Sequence, residues 1–313
     1  RLRALSMTKF AYFEGAIRPI EEAKISVMNQ TLNYGTGCFG GLRGYWNDDQ
    51  QQLYVFRIVD HFRRFLDSAK LLLAKLPYTP EQLAGITVEL LRAEGWKENC
   101  YIRPLAYKAD NTIGVRLHNL QDEVAIFSTA AGTYQWADRG CRVCTSSWRR
   151  VDDTAIPARG KLTGAYMNSS LIKSEAALAG YDDAIVLNQD GHVAEGSAAN
   201  FMMVRNGALI TPPATENILE GITRRTIMQL AAEELDLRVI ERPIDRSELY
   251  LADEAFFCGT GAQVTPIAEV DHRPLGNGEV GPITRQVRDL YFNIVYGRQP
   301  TFSHWVTAIH QQP

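Results

Sequence analysis

The residue with the most specific chemistry to offer is a lysine set among small neighbours. Pro157-Ala158-Arg159-Gly160-Lys161-Leu162-Thr163-Gly164 places Lys161 just ahead of an apolar helical pattern. A lysine amine condenses with a carbonyl as a Schiff base only after losing its proton, which burial and nearby cations favour, and Arg159 stands two residues away. The flanking glycines leave room for a flat ligand. The alternative is a solvated surface lysine, the usual state of lysine in a loop. Glu195 closes an apolar strand pattern and is followed by Gly196-Ser197, so it either faces a cavity or ends its strand in water. In a cavity it is what the ring nitrogen of pyridoxal requires, because a protonated ring nitrogen keeps the ring an electron sink. Two stretches have the form of phosphate cradles: Glu220-Gly221-Ile222-Thr223, opening a helix, and Cys258-Gly259-Thr260-Gly261-Ala262. Both offer bare backbone N–H groups and a threonine hydroxyl, and a helix N-terminus adds partial positive charge. Either would serve equally as a plain cap or turn. Arg64, in His61-Phe62-Arg63-Arg64, is suited to gripping the same dianion, with surface placement as its alternative. No one of these signals is specific. Together they supply every polar contact that pyridoxal 5'-phosphate on a lysine needs.

Those residues need elements to hold them. Gln52 to Phe56 reads as a strand leading into a helix from about Val59 to Ala74, which ends before Pro77, and Ala16 to Val27 contains short β-type runs. A helix over Pro80 to Glu94 stops at Gly95, and Tyr101 to Tyr107 and Val124 to Thr129 read as strands. This is an α+β first domain, residues 1–130. Periodicity lapses over 131–138, the expected interdomain loop. The second, larger domain is expected to hold 139–313, with a C-terminal tail and α/β character. Its elements are a strand at Cys141 to Ser146, a helix from about Ala165 to Ala179 and strands at Asp183 to Asn188, His192 to Glu195 and Asn200 to Val204. They continue with a hairpin turn at Asn206-Gly207, a helix from about Thr223 to Leu235, the segment Ala255 to Cys258 and a last helix from about Pro282 to Tyr296.

Composition narrows the class of ligand. With 313 residues and 45% hydrophobic content, two cores is the natural expectation. The net charge of -3 gives no basic surface of the kind nucleic acid requires, so small molecules are the expected ligands. The five cysteines, Cys38, Cys100, Cys141, Cys144 and Cys258, are odd in number and lack a disulfide spacing, which fits a reducing compartment. Cys141 and Cys144 form a lone C-x-x-C on a strand, and a separation of three puts them on opposite faces, against zinc. No stretch reaches the roughly 20 apolar residues of a membrane-spanning helix, so the expected location is cytoplasmic.

These residues resemble the class IV aminotransferases, the fold-type IV pyridoxal-phosphate enzymes, and among them most closely the branched-chain amino acid aminotransferases. The resemblance runs from about Ile17 to Tyr296. It is carried, in family order, by Asn33-Tyr34-Gly35-Thr36, Phe39 to Arg43, His61 to Lys70, Tyr101-Ile102-Arg103-Pro104, Lys161 to Ser169, Glu195-Gly196 with Asn200, Gly221 to Arg224, Leu249 to Glu254 and Gly259-Thr260. The resemblance implies a two-domain enzyme that moves amino groups from leucine, isoleucine or valine to 2-oxoglutarate. It implies Lys161 as Schiff-base and proton-shuttle residue, Glu195 at the pyridine nitrogen and Tyr166 at the cofactor's phenolic oxygen. Arg64, Ile222, Thr223 and Thr260 would hold the phosphate. Tyr101 and Arg103 match a Tyr-x-Arg motif whose arginine accepts the side-chain carboxylate of glutamate. Tyr34, Phe39, Gly41 and Tyr134 match pocket-lining residues, Tyr34 across the interface of a homodimer, and Thr260, Gly261 and Ala262 also border the substrate.

Two departures bear on substrate range. Gly40 stands where branched-chain enzymes usually carry Glu, and Ala131 where some carry Trp. Both are expected to enlarge or neutralise the pocket, widening the range toward aromatic amino acids or primary amines. The rival readings are a D-amino-acid or (R)-amine transaminase, an aminodeoxychorismate lyase, and an inactive cofactor-binding scaffold. Tyr101-Ile102-Arg103 opposes the first two, and the joint presence of Lys161, Glu195 and Tyr166 opposes the last.

Overall fold

The computed structural model describes residues 8–132 and 139–310. They form two compact units. The first takes the chain through Gly132 together with Gly160–Gly164 and the residues from Asn293 onward. Its strands are β1 (Phe10–Phe13), β2 (Ala16–Pro19), β3 (Cys38–Phe39), β4 (Leu42–Asn47), β5 (Gln52–Phe56), β6 (Cys100–Lys108) and β7 (Asp122–Ala130). Its helices are α1 (Gln30–Tyr34), α2 (Ile58–Leu71) and α3 (Pro80–Glu94). The sheet is antiparallel, in the order Val306–Ala308, β5, β4, β6, β7, β1, β2, with β3 beside β6.

Strand β6 shows why this sheet has two different faces. Ile102, Pro104, Ala106 and Lys108 are buried, while Tyr101, Arg103, Leu105 and Tyr107 are only half-buried. Side chains alternate across a strand, so the Tyr-x-Arg pair must share the second face. Helix α3 follows its sequence signals: Thr79 and Gln82 form a reciprocal capping box, Pro80 opens the helix and Gly95 closes it at φ 68°. On α2, Ile58, Phe62, Phe65, Ser68 and Ala69 recur at helical spacing as its buried stripe.

The second unit contains residues up to Arg159 from the far side of the connection and Ala165–Phe292. Its strands are β8 (Cys141–Arg149), β9 (Asp183–Leu187), β10 (Val193–Gly196), β11 (Asn200–Arg205), β12 (Ala208–Thr211), β13 (Arg238–Glu241), β14 (Glu254–Gly259), β15 (Gln263–Val270) and β16 (Arg273–Pro274). The main sheet order is β10, β9, β8, β15, β14, β11, β12, β13, with β16 on β15. Helix α4 (Tyr166–Leu178) links the parallel pair β8 and β9, and α5 (Ile222–Glu233) links the parallel pair β12 and β13. Helix α6 (Pro282–Val295) supplies the last residues of the unit, through Phe292. The sheet is apolar on both faces: Ala184 and Val186 pack with Ile172 and Ala176 of α4, while Ile185 and Leu187 join Phe201, Met203 and Phe257. Cys141 belongs to one cluster and Cys144 borders the other, so the two thiols do lie on opposite faces. The Asn206-Gly207 turn forms as expected, with φ of 51° and 73°.

The expected second domain, 139–313, includes Lys161 and the C-terminal segment, and the structure groups both of these with the first unit. Gly160–Gly164 lies with the first unit because its backbone bonds to residues 35–39, and the C-terminal segment does so because Val306–Ala308 pairs with β5. Residues 133–138 of the expected connection lie outside the described residues.

Candidate functional site

In the first unit, Lys161 belongs to a short strap laid along residues 35–39. Its carbonyl accepts from the Phe39 N–H at 3.0 Å, and its own N–H donates to Ser68 Oγ of α2 at 3.1 Å. Lys161 Nζ is 4.9 Å from the centroid of the Phe39 ring. The glycines beside it serve packing within the protein. A Cβ on Gly160 would meet Leu71 and Leu162 at 2.8 Å, and one on Gly164 would meet the Gly35 carbonyl oxygen at 3.2 Å. Arg159 belongs to the second unit. Its guanidinium pairs with Glu220 at 3.1 Å and lies 3.9 Å from Asp153, so its charge is already matched.

Phe39 also carries a second cation. Arg103 Cζ lies 4.4 Å from the Phe39 ring and 5.1 Å from the Tyr101 ring, and Arg103 Nη2 donates to Tyr101 Oη at 3.1 Å. Arg103 Nε is buried and has no hydrogen-bond partner among the described residues. Gly41 lies against Tyr101: a Cβ there would come within 2.3 Å of the Tyr101 hydroxyl. Lys161, Phe39, Gly41, Tyr101 and Arg103 are therefore one cluster. Arg64 is half-buried on α2, where its carbonyl accepts from Ser68 Oγ at 2.9 Å. The serine that fixes the Lys161 backbone is thus one helical turn from Arg64. Tyr34, half-buried at the end of α1, accepts from the Gly114 N–H at 3.2 Å. Tyr134 lies outside the described residues.

Gly40 does not enlarge the face that carries Tyr101 and Arg103. A Cβ on Gly40 would stand 2.5 Å from Pro104 Cγ, and Pro104 is buried on the opposite face of β6. The alternation of the strand explains the correction: Phe39 and Gly41 share one face, and Gly40 points to the other. Ala131 is half-buried and held to the Asn99 carbonyl at 2.9 Å.

In the second unit, Glu195 on β10 is buried. Its Oε1 pairs with Arg150 Nη2 at 3.1 Å, and its Oε2 accepts from Asn200 Nδ2 at 3.0 Å and from the Leu219 N–H at 3.2 Å. Of the two readings of Glu195, the strand end in water is therefore excluded. Asn200 does more than hold the carboxylate. Its Nδ2 also donates to the Leu219 carbonyl at 2.8 Å, and its Oδ1 occupies the place where a Gly221 Cβ would be, 2.0 Å from that position. Only glycine fits there. Gly221 is the residue before α5, no side chain caps that helix, and Ile222 and Thr223 are buried at its start. Cys258 is opposite Asn200 in the sheet, so the turn Thr260-Gly261-Ala262 between β14 and β15 follows one residue beyond that pairing. Burial pushes the Cys258 thiol up to about 12, and the Glu195 charge adds to this while Arg224 opposes it. Cys258 is no nucleophile at neutral pH. Tyr166 is half-buried and opens α4.

Four side chains that hold Glu195 or the Lys161 strap carry no signal of their own in the sequence. Arg150 is buried beside Glu195 whereas its neighbour Arg149 is exposed, and nothing in the Arg-Arg pair tells them apart. Asn200 was noted only as part of a pattern, and Ser68 and Thr163 bond to segments far away in sequence. Among the described residues no group of three or more potential metal ligands occurs, and no helix is long and apolar enough to cross a membrane.

Known proteins are similar to this one along nearly the whole chain. Residues 37–270 match the family described as Amino-transferase class IV. A protein of Aquifex aeolicus strain VF5, described as a probable branched-chain-amino-acid aminotransferase, is 48% identical over 311 residues, covering 99% of this chain and 100% of that one. The crystal structure of the branched-chain aminotransferase from Thermoproteus uzoniensis with norvaline is similar at 44% identity and TM-score 0.93, over 97% of this chain and 100% of that one. The branched-chain amino acid aminotransferase from Thermobaculum terrenum in its PLP form is similar at 41% identity and TM-score 0.93, over 98% and 100%.

Proposed function

The chain belongs to the class IV aminotransferases, and on that premise we propose that it is a pyridoxal-phosphate enzyme exchanging amino groups between branched-chain L-amino acids and 2-oxoglutarate. The observation that carries this reading is the double contact of Asn200. One buried amide holds the Glu195 carboxylate and packs on Gly221, before the uncapped start of α5. A fixed negative charge and an anion-binding helix terminus, set by one side chain, fit a ring nitrogen and a phosphate on one flat cofactor.

Pyridoxal phosphate, when bound, supplies the carbonyl that takes up amines and the ring that spreads the charge left at the substrate Cα. Lys161 Nζ accepts the proton leaving that Cα and returns it. Glu195, oriented by Arg150, Asn200 and the Leu219 N–H, would pair with the ring nitrogen. The N–H groups at the uncapped start of α5, with the Thr223 and Thr260 hydroxyls and Arg64, would hold the phosphate, and Tyr166 would serve the phenolic oxygen. Tyr34, Phe39, Gly41 and Tyr101 would meet the substrate side chain, with Phe39, Gly41 and Tyr101 already gathered around Arg103. Arg103 receives the second carboxylate of glutamate, a role supported by its buried, unbonded Nε and its orientation by Tyr101.

The working unit in this reading is a homodimer. It is supported by exposed apolar side chains around the Tyr34–Gly114 bond, among them Val27, Met28, Leu32, Ile113 and Val115. Cytoplasmic residence is supported by the five free cysteines. The test of substrate is a donor panel with 2-oxoglutarate. Leucine, isoleucine and valine should give L-glutamate, and a panel led by D-alanine or an (R)-amine would overturn the proposal.

A further inference from the structure

The strap that carries Lys161 is held to its own unit by two hydroxyl groups. Thr163 Oγ lies 2.8 Å from the Gly35 carbonyl oxygen, 2.9 Å from the Gly37 carbonyl oxygen and 3.1 Å from the Gly37 nitrogen. A threonine has one hydroxyl proton, so it donates to these carbonyls in turn or shares the proton between them, while it accepts the Gly37 N–H. Around that centre the backbone bonds run in register: Thr163 N–H to Gly37 O at 2.9 Å, Gly164 N–H to Gly35 O at 3.1 Å and Phe39 N–H to Lys161 O at 3.0 Å. Gly37 lies close against β6, where a Cβ would stand 2.8 Å from the Ala106 carbonyl oxygen, so no side chain fits there. On the other side of Lys161, Ser68 is buried on α2, accepts the Lys161 N–H and donates to the Arg64 carbonyl.

We propose that Ser68 and Thr163 are positioning residues for Lys161: their hydroxyls clamp the strap at both ends, so that Nζ is presented from one fixed backbone. This rests on the reading of Lys161 as the proton-shuttling lysine. A shuttle of this kind depends on geometry, because the same nitrogen must meet more than one carbon in a cycle. Backbone freedom of about 1 Å lowers the rate of such a step by up to about a hundredfold without weakening ground-state binding.

The test uses Thr163→Val, Thr163→Ser and Ser68→Ala in the full chain. In the cofactor-free protein, amide exchange at Gly37 should quicken by about tenfold or more in Thr163→Val, and at Lys161 in Ser68→Ala, with the serine variant of Thr163 near native. In the loaded enzyme, single-turnover reaction with leucine should slow about tenfold to a hundredfold in Thr163→Val and Ser68→Ala, with leucine affinity within about threefold and Thr163→Ser close to native. Native turnover in Thr163→Val, or unchanged exchange at Gly37, would overturn the proposal. If Thr163→Val fails to fold, Ser68→Ala and the serine variant still decide it by the same two readouts. Borohydride labelling of native enzyme separates the two failures: a label away from Lys161 removes the premise and the proposal together, whereas a label on Lys161 with native turnover in the variants removes the clamp alone.

Discussion

Asn200 donates from Nδ2 to Glu195 Oε2 over 3.0 Å. The same amide turns its oxygen to the bare Cα of Gly221, where a Cβ would lie 2.0 Å away. Gly221→Ala must therefore push Asn200 aside or displace the start of α5. Overpacking of this kind costs roughly 1–3 kcal/mol, about fivefold to 150-fold in an equilibrium constant. Titration of cofactor-free protein with pyridoxal phosphate should show affinity lowered by about tenfold or more. Native affinity in that variant would mean that Asn200 does not link the two parts of the cofactor site.

Arg103→Met should impair glutamate and 2-oxoglutarate more than leucine and its oxo acid. Only the first pair brings a second carboxylate, and one charge-assisted bond is worth about 1.5–3 kcal/mol. The selective loss in kcat/KM is expected to be about tenfold or more. Equal slowing of both pairs would assign Arg103 to support of Tyr101 or of the fold, and would remove its role in choosing substrates.

Gly40→Glu is a different kind of change from the one its sequence position suggests. The new side chain starts 2.5 Å from Pro104 Cγ, on the buried face of β6. The expected result is a lower Tm, from a loss of roughly 1–3 kcal/mol, with the ratio of leucine to glutamate activity unchanged. Calorimetry alongside the donor panel checks this. Selective loss of bulky donors at native Tm would contradict it.

Much of the frame was legible because its signals are local. The stop of α3 at Gly95, the Asn206-Gly207 turn and the helical run of α2 each lie within a few neighbouring residues. Strands β3 and β4 were missed because Gly40, Gly41 and Gly44 interrupt the apolar alternation, and β15 because Pro266 sits within it. Helix α1, from Gln30 to Tyr34, is too short to show a period. At the site, residue types were readable and partnerships were not. Lys161 and Glu195 stand out by type, whereas the burial of Arg150 and the bonding of Thr163 to Gly35 and Gly37 depend on contacts made only after folding. The face to which Gly40 points became clear only with the register of β6 against β3.

The homodimer predicts a cost for charge on the exposed apolar surface of the first unit. Val27→Asp combined with Val115→Asp places two carboxylates where both native side chains are largely exposed. Sedimentation should show a slower species with reduced activity, and dilution of native enzyme should lower its specific activity. A fully active native monomer would rule the dimer out as the working unit.

The central claim is that Lys161 carries the cofactor and moves the proton, and reduction followed by peptide mapping tests it most directly. Borohydride treatment of the yellow enzyme should fix the pyridoxyl group on the peptide containing Lys161, held in the structure 4.9 Å from the Phe39 ring. Lys161→Ala should remain folded, take no label there and lose transamination. A pyridoxyl group on any other lysine, or transamination surviving in Lys161→Ala, would contradict the assignment.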